Sequence, residues 1–224
     1  MALLLRTHAG GIADALYAGC MGENDCRLYL LTPPALPPDF PDLLAAALDA
    51  AEVAALRLNL PGVSDDGLAR AVELVRPVTE ARGVALVLEG APSLAVRTGC
   101  DGVHFAWGEW GVVSARRILG EGLQLGVFCG ESRDLAMRAG EDGADYVGFG
   151  PFAGGADDAA SDVLGWWAEL MELPVVAEGA ASAGACASLA SAGADFVAVG
   201  DFVWRHAAGP AAAMRALRTA LVSA

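Results

Sequence analysis

The sequence predicts an α/β protein, a single-domain (β/α)8 TIM barrel, and three observations carry that expectation. A short phrase recurs as Gly99-Cys100-Asp101-Gly102-Val103, Gly143-Ala144-Asp145-Tyr146-Val147 and Gly193-Ala194-Asp195-Phe196-Val197, its aspartates 44 and 50 residues apart. Each copy follows an Ala-rich helical stretch and opens a short apolar run. It therefore reads as helix, glycine turn and buried strand. Hydrophobic residues make up 55% of the chain and charged residues 19%, as expected when parallel strands are buried on both faces. The length of 224 residues suits a barrel of ~200–250 residues. A doubly wound sheet is the alternative.

Residues 1–26 are expected to form an N-terminal extension, with a short helix at IADALYAG and a loop at Gly22, Glu23 and Asn24; the barrel occupies 27–224. The first strand is Arg27–Thr32, stopped by Pro33-Pro34, and Asp39 or Asp42 can cap the helix that follows. The second strand is Val53–Leu60, ended by Pro61-Gly62, and Ser64 or Asp65 starts a helix reaching Arg82. Six more strands follow in the same rhythm, at Val84–Glu89, Gly102–Phe105, Leu123–Phe128, Tyr146–Gly150, Pro174–Ala177 and Phe196–Gly200. A last helix spans Pro210–Val222. The small-residue, acidic stretch Ala153–Ala160 reads either as a loose surface connection or as a lid over a site.

The formal charge of −14 argues against nucleic acid and anionic membranes, both of which demand Lys/Arg patches. No apolar run approaches the ~20 residues of a membrane helix, and the apolar core of MALLLRTHAGG is short for a signal peptide. A soluble, cytoplasmic chain is expected, with a small molecule or further copies of itself as partners. Cys20, Cys26, Cys100, Cys129 and Cys186 make no CxxC pair, which fits buried free thiols.

The runs RLYLLT, Leu56-Arg57-Leu58, SLAVRTGCDGVHF, GADYVGFGPF, LPVVAEGAA and GADFVAVGDFVW resemble the thiamine phosphate synthase family and its thiazole tautomerase relatives, from about Arg27 to Arg218. The resemblance implies a barrel that joins a magnesium-bound pyrimidine pyrophosphate to a thiazole phosphate at the C-terminal strand ends. Magnesium wants hard oxygen ligands, the pyrophosphate wants cations, and the thiazole phosphate wants backbone N–H groups.

Position by position the pattern departs. Arg57 keeps the arginine of the family's QLRxK run, but Ala55 and Asn59 replace its glutamine and lysine. Glu89-Gly90 stands for an Asn-Asp pair, and Glu109 for an aspartate ligand after strand 4. Gly126-Val127-Phe128-Cys129-Gly130 lacks the serine and histidine of Gly-x-Ser-x-His, and Ala153–Ala160 carries no lysine. Glu178-Gly179-Ala180 stands where Gly-Gly is usual, and Asp201 replaces a serine.

In place of the lost groups, Trp107, Trp110, Trp166, Trp167 and Trp204 fall at or beyond strand C-termini, joined by Phe128, Phe152 and Phe202. These readings predict a chain that has lost the family's synthase and tautomerase catalysis. It would bind a small ligand or partner at an acidic, aromatic mouth lined by Arg57, Glu89, Trp107, Phe128, Gly179 and Asp201. His104 and Glu178 are the candidates for proton transfer, and Arg57 is expected to pair with Glu89. No cofactor is expected; magnesium enters only if synthase activity is retained, with Glu109 its candidate ligand. The alternatives are a working synthase with a rearranged site, and a different barrel enzyme acting on an uncharged or cationic substrate.

Overall fold

A computed structural model describes residues 26–224. Eight parallel strands pair in sequence order and β8 returns to β1, closing the barrel. They are β1 (Arg27–Leu31), β2 (Val53–Leu58), β3 (Ala85–Glu89), β4 (Gly102–Ala106), β5 (Gln124–Phe128), β6 (Tyr146–Phe149), β7 (Val175–Ala177) and β8 (Phe196–Val199). The doubly wound alternative is thereby excluded, because a β1–β8 pairing leaves no open edge. Between the strands lie α1 (Phe40–Leu48), α2 (Asp65–Glu80), α3 (Pro92–Thr98), α4 (Val112–Leu119), α5 (Arg133–Glu141), α6 (Asp158–Leu170) and α7 (Ala183–Ser191). After β8 come the four-residue α8 (Asp201–Trp204) and α9 (Pro210–Val222).

The helices begin where local chemistry starts them. Ser64, Ser132, Asp157 and Ser182 each accept a bond from a first-turn N–H, satisfying a donor that the helix cannot. Asp39 sits at the N-cap position of α1, but its side chain makes no cap bond; Pro41 in the first turn fixes the entry instead. The helix expected at IADALYAG lies outside the described residues.

The recurring Gly-x-Asp phrase has one structural job. Asp101 accepts from the Leu86 N–H, Asp145 from the Leu125 N–H and Asp195 from the Val175 N–H, at 2.7–2.8 Å. Each aspartate precedes an even-numbered strand and clips the start of the odd-numbered strand before it. In the remaining pair Glu52 precedes β2, and the β1–β2 register shifts between Leu28 and Tyr29.

Two apolar layers result. Leu28, Leu30, Leu56, Leu58, Val103, Phe105, Val127 and Phe149 face the helices as one cluster. Tyr29, Ala55, Val87, Tyr146, Val176 and Phe196 fill the lumen as another. The lumen has room for these rings because the facing strands carry glycine. A Cβ at Gly126 would lie inside the Tyr146 ring, and one at Gly148 would stand 2.9 Å from Glu178 Oε1.

Two sequence expectations change here. Trp167 is fully buried in the helical layer, against Phe149, and its indole N–H donates to Leu173 O just ahead of β7. It therefore packs towards the opposite end of the barrel from the mouth. Trp166 lies beneath the Arg133 guanidinium, and Trp204 packs on Phe40 and donates to Leu31 O. The Ala153–Ala160 stretch is tied down rather than loose. Ala156 N–H donates to Ser188 Oγ, Ala181 N–H to Ala153 O, and α6 already begins at Asp158.

Candidate active site

Charged residues are rare inside a barrel, since burying an unpaired charge costs several kcal/mol. Arg57, His104 and Glu178 nevertheless converge in the lumen near the C-terminal strand ends, from β2, from β4 and from the residue after β7. Arg57 donates through both terminal nitrogens to the two Glu178 oxygens at 2.8 Å each. Its Nε lies 3.1 Å from Glu89 Oε2 at the end of β3, too poorly aligned for a hydrogen bond. Thus the expected Arg57–Glu89 contact exists, but the closer partner stands across the barrel.

His104 extends this cluster. Its Nε2 is 3.2 Å from Glu178 Oε1, again off hydrogen-bonding alignment, and its Nδ1 is 3.2 Å from the Tyr146 hydroxyl. Tyr146 and Tyr29 share a hydrogen bond of 2.8 Å, and the Arg57 guanidinium stands 5.7 Å from the Tyr29 ring centroid. The tyrosines, Gly126 and Gly148 were not singled out in the sequence. The available signal was alternation: Tyr29 and Tyr146 occupy the lumen-facing phase of their strands.

The two carboxylates differ in character. Burial alone would raise Glu178, yet the charge and paired bonds of Arg57, with His104 close by, hold it well below the usual carboxylate range. Glu89 goes the other way, because burial outweighs its attraction to Arg57 and raises it. Burial also pushes the Tyr29, Tyr146, Cys129 and Cys186 groups up, the two thiols to about 12.

The rim is built from the loops. Gly90 and Ala91 both take left-handed backbone, and Ala91 is the one non-glycine among the described residues with positive φ. Gly90 N–H donates to His104 O at 2.7 Å, tying the Glu89 loop to β4. Trp107 N–H donates to Phe128 O, and Phe128 stands at the end of β5 over Gly148. Gly179 needs its glycine, since φ is +96° and a Cβ would be 3.0 Å from Phe152 N. The N–H groups of Gly179 and Ala180, and those of Asp201 and Phe202 on the neighbouring strand end, have no acceptor among the described residues. Asp201 turns its carboxylate to solvent, 3.6 Å from Arg205.

Magnesium asks for several hard oxygens around one point. Among the described residues no three His, Cys, Asp or Glu side chains converge in that way. Glu89 and Glu178 are engaged with Arg57, and Glu109 Oε2 accepts from Ala106 N–H within its own turn. These residues do not fit a magnesium ion held by the protein. Among the described residues no helix is long and apolar enough to cross a membrane.

A closed (β/α)8 barrel with a polar cluster and unpaired N–H groups at its C-terminal strand ends has its candidate site at the face where enzymes of this barrel class carry theirs. The family model described as thiamine monophosphate synthase matches residues 28–203, and the chain belongs to that family. It is 50% identical over 197 residues to a thiamine-phosphate synthase of Rhodospirillum centenum, covering 85% of this chain and 95% of that one. A thiamine-phosphate synthase of Hyphomonas neptunium is 40% identical over 203 residues, covering 85% and 91%. Among solved structures, a thiamine phosphate pyrophosphorylase of Pyrococcus furiosus superposes with a TM-score of 0.77 at 23% identity, covering 89% and 97%. A geranylgeranylglyceryl phosphate synthase of Thermoplasma acidophilum gives 0.72 at 15% identity, covering 95% and 98%. These two superpositions speak for the fold.

The relatives correct the expectation of a chain that has lost synthase catalysis. Identity of 50% across almost the whole of a thiamine-phosphate synthase points to a working one. The replaced motif residues mark a variant of the site and do not show it to be degenerate.

Proposed function

We propose that the chain is a transferase of the thiamine-phosphate synthase type, serving thiamine biosynthesis. The reaction joins a pyrimidine methylene carried on a diphosphate to the ring nitrogen of a thiazole phosphate. The nitrogen lone pair forms the new carbon–nitrogen bond, and the carbon–oxygen bond breaks with its electron pair leaving on the diphosphate. The ring nitrogen becomes quaternary and no proton is transferred.

The observation that carries this reading is the 50% identity to the Rhodospirillum centenum synthase over 95% of its length. The site gives support. The free N–H groups of Gly179, Ala180, Asp201 and Phe202 suit the oxygens of a phosphate. The chain contains no lysine, so any side-chain cation that meets the diphosphate is an arginine or a histidine.

The test is direct formation of thiamine phosphate from the two phosphorylated precursors, with magnesium in the buffer and the Rhodospirillum centenum protein alongside. We expect turnover within about tenfold of that relative. No product from this chain, under conditions where the relative turns over, would overturn the reading.

A further inference from the structure

The proposed reaction starts from a neutral thiazole and ends with a quaternary thiazolium, so a full positive charge appears at the ring as the bond forms. An acidic, aromatic barrel mouth looks unfavourable for the diphosphate, but it matches the organic cation that remains once the diphosphate has left. We infer that Glu178 and Phe128 form the seat of that positive charge, Glu178 as its counter-charge and Phe128 as its aromatic face. The inference rests on the synthase reading and names residues that act in it.

Three observations support the assignment. Glu178 and Phe128 stand side by side over Gly148, whose absent Cβ would lie 2.9 Å from Glu178 Oε1 and 3.2 Å from Phe128 Cδ2. A carboxylate beside a phenyl ring is the pairing that holds heterocyclic cations. Second, the Glu178 carboxylate is pre-set by two bonds of 2.8 Å from Arg57. It need not reorganise as charge develops, the condition under which electrostatic stabilisation acts most strongly. Third, Glu89 and Glu178 share the single Arg57 guanidinium, so two carboxylates face one cation.

Two small probes separate charge from shape. One is a thiazolium methylated on its ring nitrogen; the other is the neutral thiazole of nearly the same shape that carries its methyl on the adjacent carbon. Calorimetric titration of the full chain should show the thiazolium binding about tenfold more tightly than the neutral thiazole. Glu178→Gln should abolish that preference, and Phe128→Leu should reduce it about threefold, with magnitudes set by an ion contact and a cation–π contact.

The ratio of the two affinities is the readout, because loss of folded protein lowers both alike. Phe128→Leu keeps the test open should Glu178→Gln fail to fold. A preference unchanged in both variants, or absent from the wild-type chain, overturns the inference. Thiamine phosphate formation is measured separately on the same preparations. Turnover with an unchanged preference removes this inference and leaves the synthase reading. A preference that depends on Glu178 without any turnover removes the synthase reading and leaves the cation seat.

Discussion

Arg57 and Glu178 lie 121 residues apart in the chain, and their contact illustrates what a single residue can and cannot announce. Arg57 in an apolar strand signalled a buried partner, because a guanidinium there must be neutralised. Which carboxylate would serve was not legible, since Glu89 and Glu178 both end strands and only barrel closure sets the distance across the lumen. The two acids also pull stability in opposite directions with pH. Glu178 is held below its ordinary value of 4.5, so its contribution is present above about that pH and lost as pH falls. Glu89 is raised above 4.5, so the folded chain keeps that proton longer, and stability falls as pH rises from 4.5 through the folded value. We expect Glu89→Gln to flatten the decline of the urea midpoint over that rise; a steeper decline in the variant would contradict the assignment.

At the scale of elements, strand positions were legible to within one or two residues because glycine and proline punctuate every strand. Phe196–Gly200 was expected and Phe196–Val199 is found; Pro210–Val222 is the same in both. The short α8 is not legible in sequence, as four residues carry no periodicity, and neither is the direction in which Trp167 packs, because sequence places a residue along the chain rather than on a helix face. The role of the repeated aspartate, too, appears only in three dimensions. It takes the N–H at the start of a neighbouring strand, and β7, three residues long, has the least ladder of its own. Asp195→Ala should therefore cost about 1–3 kcal/mol, the price of an unsatisfied buried N–H, while Asp195→Asn, which keeps an acceptor, should cost less. Equilibrium denaturation of the two variants measures the difference, and equal losses would speak against the clip.

At the scale of the molecule, a formal charge of −14 over 224 residues makes self-repulsion a standing cost of the compact state. Raising sodium chloride from about 10 mM to about 0.3 M shortens the screening length from ~30 Å to under 10 Å and should raise Tm by a few degrees. A fall in Tm would show that attractive pairs such as Arg82–Asp49 outweigh the repulsion. The aspartate clips have a consequence at this scale as well. They sort the strands into twos, β3 with β4, β5 with β6, and β7 with β8, and leave β1 and β2 joined without one. Parting the strands between twos loses no clip, whereas parting them within a two loses one. The closed barrel, continuous in its ladders, thus has built-in seams, and these are the places where it can be opened or recombined at least loss.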